Sequence, residues 1–155
     1  MLPLFDSRPV YIFDISFVTR IDGMRNPERI WDRVIRLIEE DRLFTLPQVM
    51  DDLERIDPAA YARLAPFSTR IVLPIDREKL LEAGRISQSY DGLATPYHPE
   101  KGTIPWLIAA AGIGGFIIVT GTMDTCSEMA NACRCEGIVC LDMAAFKAHE
   151  TVGVH

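Results

Sequence analysis

The chain lacks long hydrophobic runs, since no apolar stretch reaches the roughly 18 residues that a membrane-spanning helix needs. The longest such stretch, at residues 104–118, is interrupted by three glycines. The first residues carry neither a basic segment nor an extended apolar core, so no signal peptide is predicted. The sequence therefore predicts a cytoplasmic protein without a membrane segment.

Positive charge is also scarce. Sixteen lysines and arginines stand against 22 aspartates and glutamates, which gives a formal net charge of −6. Tight non-specific binding of nucleic acid normally needs a basic surface, so the overall charge argues against that function. It argues less against an enzyme that contacts RNA briefly, because metal-binding carboxylates add negative charge and a local basic patch is compatible with an acidic total.

Several common site motifs are missing. The four cysteines form no CxxC pair and have no histidine among them; they are Cys126, Cys133, Cys135 and Cys140. Reduced, buried thiols are the preferred interpretation, and a zinc or redox module is the alternative. The glycines at 112–115 follow a predicted helix and precede a predicted strand, the reverse of a dinucleotide-binding loop, so they indicate a helix end. No Ser–His–Asp order can be assembled from the three scattered histidines.

What is present is an ordinary globular composition, with 48% hydrophobic and 25% charged residues, and a length that suits one domain covering 1–155. Apolar, β-branched runs predict strands at 10–15, 43–46, 116–120 and 138–141, and residues 70–73 are either a short strand or an extended loop. Helical patterns separate them, beginning near residues 27, 47, 58, 77, 103, 125 and 142. This alternation predicts an α/β fold, a three-layer sandwich around a central parallel sheet.

In parallel sheets, ligands bind beyond the carboxyl ends of the strands. Asp14 ends the first predicted strand, where it is either a cap for the following helix or a ligand for metal or substrate. On the helix that begins at Pro47, Asp52 borders the predicted apolar stripe of Val49, Leu53 and Ile56, whereas its neighbour is predicted to face solvent. Asp52 therefore either reaches into a cleft or belongs to a solvated helix surface.

Two carboxylates on adjacent elements would suit Mg²⁺ or Mn²⁺, which prefer oxygen ligands. Such an ion can activate water and stabilise a phosphate during phosphodiester cleavage. Because aspartate is common, two carboxylates alone do not define a function.

Four segments in chain order carry a family resemblance. Residues 11–16 form an apolar strand that ends in an aspartate followed by a small polar residue, and residues 46–53 contain Pro-x-Val-x-x-Asp-Leu. Residues 101–109 contain Thr-Ile-Pro-Trp-Leu-Ile-Ala, and residues 118–120 read Ile-Val-Thr. This ordered set resembles the PIN-like nuclease family, and the spacing of Cys133 and Cys140 resembles that of a bacterial branch without a settled function.

The resemblance implies a Rossmann-like sheet, a site of three or four acids for Mg²⁺ or Mn²⁺, and single-stranded RNA as the substrate. It also implies an antitoxin protein as a partner, since many members are toxins of toxin–antitoxin pairs, and a homodimer. Asp14 and Asp52 match two of the acids. The third acid is replaced by Ile104 and the fourth by Thr122, while Asp124 lies two residues further on.

Three functions are compatible with this pattern. The preferred hypothesis is a PIN-like protein of the toxin–antitoxin type with a degenerate acidic site, whose ancestral RNA cleavage is weakened or lost. The alternative is an active Mg²⁺- or Mn²⁺-dependent single-strand ribonuclease that uses Asp14, Asp52 and Asp124. The third is a cysteine-rich metal or redox module within residues 126–140.

Overall fold

A computed structural model describes residues 8–90, 93, 103–121 and 127–152. Its strands are β1 (Tyr11–Phe13), β2 (Leu43–Phe44), β3 (Ile117–Val119) and β4 (Cys140–Leu141). They pair in the order β2-β1-β3-β4, and every pair is parallel. Each strand lies inside the run predicted for it, and the α/β class with a central parallel sheet is confirmed.

Helices connect and flank these strands. They are α1 (Ile15–Thr19), α2 (Pro27–Glu39), α3 (Pro47–Ile56), α4 (Pro58–Leu64), α5 (Ser68–Ile71), α6 (Arg77–Ser89), α7 (Ile104–Gly114), α8 (Glu128–Glu136) and α9 (Met143–Val152). Proline begins α2, α3 and α4, where its fixed φ suits the helix and its missing N–H is not needed. Within the described ranges, no helix is long and apolar enough to cross a membrane.

Strand β1 lies at the centre of the core. Tyr11, Ile12 and Phe13 are all 0% exposed, although successive side chains of a strand point to opposite faces. Both faces of the sheet are therefore covered, as a three-layer arrangement requires. On one face, Tyr11 packs edge-on against Phe146 of α9 with ring centroids 5.3 Å apart, and Phe13 contacts Phe17 of α1.

The segment at 70–73 differs from both sequence alternatives. Helix α5 runs through Ile71, and only Val72 joins the sheet, by a parallel bridge to Thr45 just after β2. The Thr45 N–H donates to the Ile71 carbonyl and the Leu73 N–H donates to the Thr45 carbonyl, both at 2.9 Å. Within the described residues, the sheet itself has four strands. When the single bridge of Val72 outside β2 is counted with them, the chain order becomes third, second, first, fourth, fifth, as in Rossmann-type sheets. The point where this order reverses lies between β1 and β3.

Some local predictions were wrong. Ile56, predicted on the buried face of α3, is 49% exposed because the helix ends there. Asn26 and Thr103 stand directly before α2 and α7, where the sequence favours capping residues, but neither makes a side-chain capping bond, and Asn26 adopts a left-handed φ of 56°. Helix α8 is capped by Ser127, whose Oγ accepts a 3.1 Å hydrogen bond from the third residue of the helix.

Candidate functional site

Oxygen-bearing side chains line the edge formed by the carboxyl ends of the strands. Asp14 follows β1, Thr45 follows β2, Thr120 follows β3 and Asp142 follows β4. Because all the strands are parallel, these residues share one edge of the sheet. Thr45 and Thr120 are buried, whereas Asp14 and Asp142 are half-buried. This carboxyl edge is the candidate functional site.

Asp14 is bonded on both of its carboxyl oxygens. Oδ1 accepts a 3.0 Å hydrogen bond from the backbone N–H of Phe17, which makes Asp14 the N-cap of α1. Oδ1 also lies 2.8 Å from the Ser16 hydroxyl, and Oδ2 lies 2.7 Å from the Thr120 hydroxyl. The two hydroxyl oxygens are themselves 2.8 Å apart. We call Asp14, Ser16 and Thr120 the hydroxyl–carboxyl triangle. The bond from the Phe17 N–H shows that Asp14 caps a helix, which is one of the two alternatives predicted for it.

The triangle holds three oxygen–oxygen contacts of 2.7–2.8 Å among two hydroxyls and one carboxyl. Ser16 and Thr120 have one hydroxyl proton each, and both hydroxyls donate to the carboxyl of Asp14. Burial is the strongest influence on the pKa of Asp14 and raises it, whereas the hydrogen bonds from Thr120, Ser16 and Phe17 act to lower it. Burial outweighs these hydrogen bonds, so Asp14 keeps its proton to a higher pH than an exposed aspartate does.

Gly121 completes the connection between β3 and α1. Its N–H donates a 2.9 Å hydrogen bond to the Ser16 hydroxyl. A Cβ at position 121 would lie 2.5 Å from the Ser16 carbonyl oxygen, which is backbone and cannot rotate away. Glycine therefore permits the close approach on which the triangle depends.

Asp52 lies on a helix next to the triangle but has its own partner. Helix α3 packs against α1, the helix that Asp14 caps. The Asp52 side chain is 24% exposed and forms an ion pair with Arg55 at 3.1 Å. Its neighbour Asp51 is exposed. In the described part of the chain, no hydrogen bond joins Asp52 to Asp14.

The remaining positions of the expected acidic site are not acids or are not described. Ile104 begins α7 and is partly buried against the core. Thr122 and Asp124 lie outside the described residues. Among the residues that the structure describes, no group of three or more His, Cys, Asp and Glu side chains could hold a metal ion.

The described oxygens do not suit the Mg²⁺ or Mn²⁺ ion that the family resemblance implies. Such ions need oxygen lone pairs directed towards the ion in a regular arrangement. Oδ1 of Asp14 already accepts two hydrogen bonds inside the protein and Oδ2 accepts one, Asp52 is paired with an arginine, and Ile104 has no side-chain oxygen. The triangle therefore stabilises the fold in its present form and does not present an open set of ligands.

Gln48 is a polar residue of this region that the sequence patterns did not single out. It lies on α3 four residues before Asp52, and its Oε1 is buried without a hydrogen-bond partner in the described ranges. Buried oxygens normally have a partner, so this one is a candidate acceptor for a bound group. The Ser16–Thr120 contact was also not predicted, since it depends on the register that pairs Phe13 with Val119.

The described cysteines do not converge on one point. Cys133 is buried, Cys140 is half-buried and Cys135 is exposed. A hydrogen bond between Cys133 and Cys140 lowers the pKa of Cys133 and raises that of Cys140, which burial raises further. Cys126 lies outside the described residues. Cys133 and Cys140 thus contact each other, and the choice between structural cysteines and a metal or redox module stays a prediction of the sequence.

Comparison with known proteins assigns no family to the chain. No protein-family model matches it, and no curated protein matches it. The likeness to PIN-like nucleases therefore stays a prediction from the sequence motifs.

Proposed function

We propose that the chain is a PIN-like protein of the toxin–antitoxin type in which metal-dependent RNA cleavage has been weakened or lost. The observation that carries this proposal is the hydroxyl–carboxyl triangle. The carboxyl on which metal binding would depend is used instead to hold two strands and a helix together.

Two features of the fold support the PIN-like part of the proposal. The sheet has the Rossmann-type order when Val72 is included, and Asp14 directly follows β1 at the point where that order reverses. The helix that carries Asp52 packs against α1, so the two expected acids lie on adjacent elements. Both features agree with the sheet and site that the sequence motifs imply.

The loss of cleavage is supported by the side chains themselves. An aliphatic group stands at Ile104, where the family has an acid, and it can neither bind a cation nor hold a water for one. Even the loss of groups around a metal's direct ligands weakens binding by about 10–100-fold, so the loss of a direct ligand is expected to weaken it further. A protein without this chemistry would act by binding. An antitoxin protein as the partner and a homodimer stay predictions of the resemblance.

A cleavage assay tests the proposal. Labelled single-stranded RNA is incubated with millimolar Mn²⁺ and with the wild type, Asp14→Asn, Asp52→Asn or Asp51→Asn. Asp51 is the matched control, because it is an exposed carboxylate on the same helix as Asp52. We expect all four proteins to give the same background.

Cleavage by the wild type and by Asp51→Asn, but not by Asp14→Asn or Asp52→Asn, would contradict the proposal. That result would favour the active ribonuclease that uses Asp14, Asp52 and Asp124.

A further inference from the structure

Helix α2 carries a row of arginines that the carboxyl edge does not use. Arg25 lies just before the helix, and Arg29, Arg33 and Arg36 follow at intervals of four, four and three residues. This spacing places Arg29, Arg33 and Arg36 on one side of the helix, and Arg25 lines the same cavity as Arg29 and Arg33. We call these four residues the arginine stripe, and in the described part of the chain none of their side chains makes a hydrogen bond or an ion pair. Arg33 is half-buried and the others are exposed.

Two adjoining cavities run along the arginine stripe. The first has a volume of about 440 Å³ and is lined by three arginines of the stripe together with Arg8 and Arg42. The second has a volume of about 230 Å³ and is lined by the other end of the stripe and by Lys147. Arg29 and Arg33 line both cavities, so the two form one continuous arginine groove.

Two of the three described carboxylates that line the groove form ion pairs with arginines of the same lining. Glu40 and Glu150 each lie 3.0 Å from a nitrogen of Arg42, and the Arg42–Glu150 pair is buried. Glu40 also pairs with Arg8. Asp32 is the remaining acid of the first cavity, and the described lining of the second contains none. A chain of net charge −6 thus keeps a strongly positive groove.

The arginine groove is separate from the carboxyl edge. Arg8 precedes β1 and Arg42 precedes β2, so the larger cavity lies at the amino edge of the sheet. Asp14 lies beyond the other end of β1. An inference about the groove is therefore independent of the proposed loss of cleavage.

We infer that the arginine groove binds the phosphate backbone of single-stranded nucleic acid. Guanidinium groups bind phosphates through paired, charge-assisted hydrogen bonds. Residues four apart on a helix are separated by about 6 Å along its axis, so the stripe repeats a cation about once per turn. A ligand with a regularly repeated anion matches this pattern. Arg33 is half-buried and lines both cavities, so a flexible single strand can follow the groove to it more readily than a stiff duplex can.

The lining favours nucleic acid over an acidic protein segment. Its apolar residues Ile30, Leu37 and Phe146 are 7%, 2% and 0% exposed, so the described surface of the groove offers no apolar anchor to a protein. Among the described lining residues there is also no exposed aromatic ring on which a base could stack. Contacts to phosphate alone give binding that is independent of sequence and falls steeply with salt.

Fluorescence anisotropy of a labelled oligouridylate, titrated with the intact chain at several salt concentrations, tests the inference. For a single strand, each phosphate contact contributes about −0.7 to the slope of log K against log salt, so the stripe predicts a slope of about −3. Arg29→Gln/Arg33→Gln should weaken binding about tenfold or more and reduce the slope by about 1.4. Asp32→Asn should strengthen binding.

The control is Arg55→Gln/Arg77→Gln, which removes two exposed arginines outside the groove and should bind like the wild type. If the Arg29→Gln/Arg33→Gln pair melts early by circular dichroism, Arg25→Gln/Arg36→Gln replaces it. Three results would overturn the inference: no binding by the wild type at low salt, an equal loss in the control, or equally tight binding of a duplex or of oligoglutamate.

Discussion

The Thr120 hydroxyl lies 2.7 Å from the carboxyl of Asp14, and this contact ties the end of β3 to the end of β1 at the centre of the sheet. Asp14 also caps α1, so one carboxyl joins two strands and a helix. Because this side chain makes several internal hydrogen bonds, we expect its replacement to change the free energy of unfolding more than any catalytic activity.

Two substitutions of Asp14 distinguish the contribution of its hydrogen bonds to stability from the contribution of its negative charge. Asp14→Ala removes the acceptor of the Phe17 N–H and the partner of two hydroxyls, so we expect a loss of about 1–3 kcal/mol in the free energy of unfolding. Asp14→Asn keeps one acceptor and one donor and resembles the neutral acid, so it should stay within about 1 kcal/mol of the wild type at neutral pH. Urea unfolding measures both. Equal losses for the two variants would show that the negative charge is what matters.

The raised pKa of Asp14 predicts the sign of a pH dependence. The folded state holds this proton more tightly than the unfolded chain does, since burial raises the pKa above its ordinary value of 3.8. The resulting stabilisation is complete below that value and is lost as the pH rises through the higher pKa of the folded state. Unfolding free energies measured across this pH range should therefore fall in the wild type relative to Asp14→Asn. A wild type that gains stability over Asp14→Asn with rising pH would mean that the ionised carboxylate is the favoured form.

Gly121 should tolerate a methyl group poorly. In Gly121→Ala, the new Cβ would lie 2.5 Å from the Ser16 carbonyl, so backbone must move, and we expect a loss of about 1–3 kcal/mol. Gly84→Ala on α6 is the matched control, because a Cβ there meets nothing within 4 Å and the helix interior should gain about 0.5–1 kcal/mol. Thermal or urea unfolding distinguishes them. Equal tolerance at both positions would mean that β3 and α1 are not held this closely.

Restoring the expected acid tests the PIN-like interpretation. If position 104 corresponds to a lost metal ligand, Ile104→Asp should create Mn²⁺ binding that the wild type lacks, because a third carboxylate would then compete with the internal bonds of Asp14. Ile113→Asp, an exposed position on the same helix, is the control. The electron paramagnetic resonance signal of free Mn²⁺ reports the binding. If neither variant lowers the signal of free Mn²⁺, the assignment of Ile104 to a lost metal ligand is contradicted.

The strands were predictable because short, apolar, β-branched runs between helical patterns are typical of buried parallel strands. A polar residue at the end of the first run also pointed to Asp14. Its partners were not predictable, because the Asp14–Thr120 contact joins residues 106 apart in sequence and depends on strand register. The segment at residues 70–73 is too short for its sequence to distinguish a helix, a strand and a loop. Its first two residues belong to α5, and Val72 forms a single bridge to the sheet.

The arginine stripe could have been recognised in the sequence. Its spacing of four, four and three is a helical period, and it coincides with a helix that was predicted from its apolar face. The net charge of −6 does not indicate it, because that charge is a sum over the whole chain. What the sequence could not provide is the pairing of Glu40 and Glu150 with Arg42, which leaves the stripe unneutralised.

Titration calorimetry with Mn²⁺ tests the central claim most directly, since it asks whether the carboxyl edge binds a divalent ion at all. Wild type and Asp14→Asn are titrated side by side up to millimolar metal. The bonding of Asp14 predicts the same weak, non-saturating heats for both proteins. Saturable binding by the wild type that disappears in Asp14→Asn would contradict it.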